Sequence, residues 1–554
     1  MKYESLGLLV GAASGLVESR QAARQSPLTT TTAAAATPWP SVSYKTEPFT
    51  SPELDVNQTG PTAPGLIWFS PALFFPQQGL GAPSTSELTP LIASQDGEVV
   101  FHGPNYLPDE PDFFANFRPQ FFSNGTLLSY YLGHFGPNME QAVSQSPFQS
   151  FKGNSWAKLN VQSQLGNVTF IDSTYTVTTV ICLADYPTFI PGATESDCKV
   201  DLHESRRLSD DRFIVTTHNY TQTDLSAVGG PQDGWVTDSQ FLVVNPFTEE
   251  ISFKWSSLEH LDKLPVNDSR ILRQNRMGQE LGISPELAWD YFHINAVAPF
   301  EDGYVISARH FSTVVFIDKD GEVTYRLNGE IGQDFSLPTD AHFRYQHDVL
   351  AHRDDDGSII VTMFDNENYD VPPPSQDVES SALELRLNTN DMTAKLERRL
   401  FSNDTVRAIG LGSWQDQPNG NVFVGEATFP ALAEFDPTGE QVWNLRYGFD
   451  SPGSFRAYKY TEWTGKPANP PKGVAEALDN GSMAVFMSWN GATEVVSWVV
   501  KALTDNGISL KLTNVPKSGF ETTAIVNATT SQMLLAVALG DDGQVLGTSE
   551  PFTA

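Results

Sequence analysis

The chain has 554 residues, of which 40% are hydrophobic and 18% charged, and a formal charge of −33. That acidity excludes nucleic acid as a partner, because phosphate binding needs a basic face, and it speaks equally against anionic membrane surfaces. What remains is a globular composition with ample core.

Lys2 precedes an apolar stretch over residues 6–17, too short to span a bilayer but suited to the apolar region of a signal peptide. Residues 1–20 are therefore expected to be a signal peptide, and residues 21–45, rich in Ala, Thr and Pro, a low-complexity linker. No later apolar run reaches the length of a membrane helix, so no membrane insertion is expected. Eight N-x-S/T sequons, at Asn57, Asn124, Asn167, Asn219, Asn267, Asn403, Asn480 and Asn527, fit a glycosylated protein that is secreted or held in the secretory pathway. The two cysteines, Cys182 and Cys198, are compatible with one disulfide.

From residue 46 to 554 the recurring unit is a turn followed by alternating strand-like sequence. Asp96-Gly97, Asp302-Gly303, Asp356-Gly357, Asn419-Gly420 and Asn480-Gly481 each open such a run, and the last four lie 54, 63 and 61 residues apart. Segments 311–327 and 429–447 continue through a second turn into another strand. A strand quartet repeating at this period predicts propeller blades, because one four-stranded sheet cannot bury both faces alone. The expected fold is all-β, a six-bladed β-propeller, with residues 269–288 the best candidate for a short helix. A β-sandwich would space its strands more closely and less regularly.

Four of the ten histidines sit in distinctive company: His203 in Asp-Leu-His-Glu, His293 in Phe-His-Ile-Asn, His310 beside Arg309, and His347 in Gln-His-Asp. Each lies at the start or end of a strand-like run, where propeller loops face the central channel. Imidazoles there can serve as nucleophile, base or metal ligand, and an arginine beside them can hold developing negative charge. Any one of them alone is more often a satisfied structural residue, and it is three or four together, all in polar loop contexts, that point to a site. A zinc ion held by His203, His293 and His347 is conceivable, but no local H-x-x-H or C-x-x-C spacing supports it, so no metal is expected. Asp354-Asp355-Asp356 reads as an acidic turn rather than a calcium loop, and Gly229-Gly230 as turn chemistry in a rim loop. There is no P-loop, dinucleotide fingerprint or G-x-S-x-G elbow, so no cofactor is implied. Trp235, Trp289, Tyr291, Phe292 and Phe343 flank these histidines. They read either as blade packing or as a wall for an aromatic substrate, and the first four are taken as candidate substrate contacts.

Segments 201–260, 289–329, 343–366, 419–425 and 454–467 together resemble the fungal arylsulfotransferase-like family, over nearly the whole chain after the linker. The resemblance implies a six-bladed propeller. Bacterial members transfer sulfuryl groups between phenols without a nucleotide donor, through a sulfated histidine. On that pattern His347 matches the nucleophile, His203 and His293 its supporting histidines, and Arg309 the arginine that holds the sulfuryl oxygens. The cysteine pair, just upstream of His203, would brace that loop. Some fungal members are instead hetero-Diels–Alderases of secondary metabolism, which join a polyketide-derived o-quinone methide to a terpene such as humulene and so form meroterpenoids. There Arg309, His293 and His347 would be hydrogen-bond donors. The fungal resemblance places this cyclase first, aryl sulfotransfer second and a non-catalytic ligand-binding propeller third. Small phenolic, quinone methide and terpene molecules are the expected partners.

Overall fold

The computed structural model describes residues 39–72, 88–103, 113–135, 164–274, 278–368, 378–449, 452–504 and 506–553. The expected signal peptide and most of the linker lie outside the described residues. The end of the linker is structured, with Ser41–Ser43 pairing antiparallel with Thr50–Pro52. Among the described residues the fold is all-β, and every helical element is a 3-10 turn of three or four residues. The helix expected over 269–288 is not formed: its described part holds only the turn Pro285–Leu287, and the rest is irregular. Pro285 and the glycines at 278 and 282, both with φ near +80° (75° and 88°), break any helical run there.

Among the described residues, six antiparallel sheets of four or five strands follow one another. Their first strands are Phe113–Phe122, Asp201–Arg207, Ile294–Phe300, His347–Arg353, Ser413–Asp416 and Gly453–Tyr460. These six touch in closed order, each packing on the next and Gly453–Tyr460 returning to Phe113–Phe122. The closure mixes the two ends of the chain. Gly453–Tyr460 pairs with Leu66–Ala72, so the sixth sheet takes its other three strands from the beginning of the sequence, and Asp55–Gln58 adds a fifth strand to the sheet before it.

Turn chemistry explains the repeat. Asp302-Gly303, Asp356-Gly357 and Asn419-Gly420 all join the first and second strands of successive sheets. At Gly357 and Gly420 φ is 84° and 86°, a left-handed conformation that other residues reach only with strain. The start at Asn480-Gly481 does not open a sheet of this ring. It leads into Met483–Ser488, part of two further sheets over residues 472–548 with their own core of Met483, Val485, Trp498 and Val500. In the ring, middle strands such as Gly303–Ala308, Thr313–Ile317 and Ala431–Phe435 are buried on both faces. Sheets stacking face to face require this. The apolar cluster holding Val305, Phe316, Phe343, Val361 and Leu385 lies between two of them.

Candidate active site

The first strands do not run straight. Register shifts interrupt the pairing of Asp201–Arg207, Ile294–Phe300, His347–Arg353, Gly453–Tyr460 and Phe113–Phe122 with their neighbours. Such bulges bend a strand and re-aim its side chains. The backbone is also left-handed at His293 (φ 59°), Tyr345 (52°) and Asp348 (50°), a strained choice for residues with a Cβ. Together these distortions collect side chains that lie far apart in sequence. The His203 and His293 rings stand 4.6 Å apart, and the His293 and His310 rings 4.5 Å. Phe455 meets His203 and His347 edge-on, at 5.8 and 6.5 Å.

Each imidazole is fixed by what its Nδ1 faces. His203 Nδ1 lies 2.6 Å from Asp201 Oδ1, and His293 Nδ1 bonds Asp290 Oδ2. His347 Nδ1 lies 2.7 Å from Asn366 Oδ1 and 3.1 Å from the Tyr345 carbonyl. All of these partners are acceptors, so each Nδ1 carries a proton. His310 is different. Arg309 Nη1 donates to its Nε2 at 2.8 Å, while its Nδ1 donates to the Asp290 carbonyl at 2.6 Å. Both of its nitrogens are thereby engaged, and it holds the Arg309 guanidinium, whose Nη2 also donates to Ile409 O at 2.7 Å. Burial, reinforced for His347 and His293 by the nearby Arg309 charge, pushes His347, His293 and His310 well below the ordinary imidazole range. The three are neutral.

Beside the histidines lies a second layer of buried charge. Arg456 Nη1 reaches both Glu204 oxygens at 3.0 Å, its Nε lies 3.2 Å from Asp348 Oδ1, and its Nη2 donates to the carbonyls of His203 and Asn295. Arg118 adds a bond to Glu204 at 3.2 Å. Burial alone would raise Glu204, but Arg456, Arg206 and Arg118 bring it down to about 2.

Asp290, His293 and His310 form the one group among the described residues whose metal-ligating atoms all lie within 4.8 Å of one another. It suits a metal poorly, because both His310 nitrogens are spent and the Arg309 cation sits against that ring. The candidate substrate contacts Trp289, Tyr291 and Phe292 are buried in the apolar cluster behind the site, with Tyr291 Oη donating to Ser257. Trp235 is half-buried and packs on Phe189, their rings 6.0 Å apart. Asp354 and Asp356 pair with Arg386, and Gly229 ends a 3-10 turn in the left-handed conformation. Cys182 and Cys198 form a disulfide three residues before Asp201. Nothing local in the sequence marks Asn366, Phe455 or Arg456. For the histidines' carboxylate partners a local signal did exist, since an aspartate stands two or three residues before His203 and His293.

The fold and site define an all-β protein with a buried cluster of imidazoles beside a guanidinium. The family model of arylsulfotransferase (ASST) matches residues 159–448, more than half of the chain, and the chain belongs to that family. A search among curated proteins finds no match. Solved structures with some likeness include a Bacteroides caccae protein of unknown function, at 13% identity and TM-score 0.36, covering 72% of this chain and 99% of that one. Another is a xylan β-1,4-xylosidase from Bacillus halodurans C-125, at 8% identity and TM-score 0.26, with 81% and 91% covered. Likenesses so distant carry no argument about the site.

Proposed function

We propose that this protein is an aryl sulfotransferase that passes a sulfuryl group from an aryl sulfate to a phenol through a covalent intermediate on His347. One observation carries the reading: His293 and His347 each spend the Nδ1–H on an internal acceptor and, being neutral, keep the Nε2 lone pair. A lone pair attacks sulfur or accepts a phenolic proton, and a neutral imidazole held this way has no N–H left to donate. A hetero-Diels–Alderase would need donors on the quinone methide oxygen, and with His293 and His347 unable to donate only Arg309 of the three expected donors remains, so the geometry favours group transfer over the cyclase.

The steps follow from the partners. His347 Nε2 attacks sulfur, and the S–O bond breaks with its electron pair leaving on the phenolate oxygen. Arg309 stabilises the sulfuryl oxygens. An acceptor phenol then gives its proton to the Nε2 of His203 or His293. The aspartate behind either ring supports the imidazolium that forms. The phenol oxygen attacks sulfur, and the S–N bond returns its pair to His347. Phe455 offers an aromatic edge beside both rings. No cofactor enters.

The same reading takes the ring as a six-bladed β-propeller, supported by six sheets whose first strands touch in closed order. It also takes the protein as secreted. The disulfide supports this, as do sequon asparagines exposed at Asn57, Asn124, Asn267, Asn403, Asn480 and Asn527, while Asn167 and Asn219 are half-buried.

The test is peptide mass spectrometry after incubation with 4-nitrophenyl sulfate. One sulfuryl group on the peptide bearing His347, with release of 4-nitrophenol, is the expected result. An unmodified peptide and no released phenol would overturn the reading, and a quinone methide precursor offered with humulene would then be the next substrate.

A further inference from the structure

The three site imidazoles differ in what could receive the Nδ1 proton. Behind His203 and His293 stand carboxylates, Asp201 and Asp290. Behind His347, among the described residues, stand only neutral acceptors, the Asn366 side-chain carbonyl at 2.7 Å and the Tyr345 main-chain carbonyl at 3.1 Å. The Asn366 amide is locked in that orientation. Its Nδ2 donates to Leu411 O at 3.1 Å, and its own main-chain carbonyl accepts from Ser380 Oγ at 2.8 Å and Asn368 Nδ2 at 2.9 Å. Asn366 is wholly buried, and Leu411 is held in the left-handed region with φ 70°. A flipped amide would set its NH2 against the His347 N–H and its oxygen against the Leu411 carbonyl.

We propose that Asn366 is a positioning residue that keeps a sulfated His347 reactive by denying its ring a base. The inference rests on His347 being the nucleophile and adds what governs the fate of the intermediate. When Nε2 bonds to sulfur, the Nδ1 proton has no base to go to, so the ring is an N-sulfonated imidazolium. From that species the departing group, when the acceptor phenol attacks, is neutral imidazole. If a carboxylate took the Nδ1 proton, the departing group would be an imidazolate, a far stronger base and a poorer leaving group, and the sulfuryl group would stay on the enzyme. Carboxylates suit His203 and His293 for the opposite reason, because those rings must gain and hold a proton. The neutral partner thus selects which of three similar histidines carries the sulfuryl group.

Asn366→Asp is nearly isosteric and tests this directly. The first half-reaction, read as the single-turnover burst of 4-nitrophenol, should change little. Transfer from the sulfated protein to an acceptor phenol should slow by on the order of 10²-fold, and more so as pH rises from 6 to 9 and the new carboxylate ionises. The sulfated His347 peptide should then accumulate. Equal transfer rates in the two proteins across that range would overturn the role of Asn366, as would equal losses in both half-reactions, which mark a merely structural residue. Nitrogen-15 NMR of the sulfated wild type gives a reading independent of any variant. A protonated Nδ1 on His347 is expected, and an unprotonated one overturns the proposal. A wild type that never becomes sulfated overturns the nucleophile reading itself, and with it this one.

Discussion

His347 meets two demands that pull apart in solution, since it must be neutral at working pH yet lie next to a cation. Burial settles the matter by pushing its pKa well below the usual 6.5, and the Arg309 charge adds to that shift. His347→Asn should lower sulfuryl transfer by roughly 10³-fold or more, read as kcat with saturating aryl sulfate. Stability carries a second signature. Below pH 6.5 the unfolded chain binds a proton at this histidine and the folded chain does not, so the wild type loses stability as pH falls and the variant does not share that loss. The stability difference between them should therefore shift in the variant's favour by about 1.4 kcal/mol per pH unit below 6.5. Urea midpoints at pH 5.5 and 7.5 would show it, and a constant difference would mean that the folded ring titrates normally. At this scale the sequence was informative: the four histidines and Arg309 stood out by their local context, and the aspartates two or three residues ahead are visible beside them. Asn366 was not, because its partnership with His347 spans two strands and nothing local marks it.

Elements of the fold act on the site through the segments that deliver them. The disulfide closes the sixteen-residue span from Cys182 to Cys198 and ends three residues before Asp201, with Lys199 N donating to Cys182 O at 2.8 Å. It pins the entry to the strand that carries Asp201 and His203. Replacing both cysteines by alanine should cost about 3 kcal/mol in the chain-entropy picture, measured from denaturant midpoints. The same variant should lose activity before it unfolds, since the Asp201–His203 pair hangs on that segment, and unchanged kcat in the folded variant would contradict this bracing role. Hairpin turns were legible because their chemistry is local, as Gly357 and Gly420 illustrate. The stretch 269–288 looks helical in sequence but folds otherwise, because spacing of apolar residues carries no record of the apolar cluster that takes up Leu281 and Ile271 instead.

At the scale of the whole molecule, closure of the ring and assembly of the site are one event. Arg456 comes from the strand that pairs with Leu66–Ala72 and so joins the two ends of the chain. It is almost wholly buried, and it binds Glu204, Asp348, His203 O and Asn295 O, groups from three other sheets. Arg456→Met leaves two carboxylates buried without their main cation, which should destabilise the fold by about 3–5 kcal/mol. Calorimetry would check this. A change below about 1 kcal/mol would mean that Arg118 and Arg206 suffice.

The sequence by itself determined the class of fold, through turn dipeptides and strand alternation at a blade-like period, and it determined the chemical types at the site. Both depend on interactions within a few residues, so a linear reading captures them. Tertiary structure alone decided which nitrogen of each histidine faces an acceptor, which ring lacks a carboxylate partner, and how the ring of sheets closes. It also set apart residues 472–548 as separate sheets, although their turn signals look like the others. Those outcomes rest on contacts between residues tens to hundreds of positions apart, formed through bulged strands and buried charge, and no local pattern encodes them.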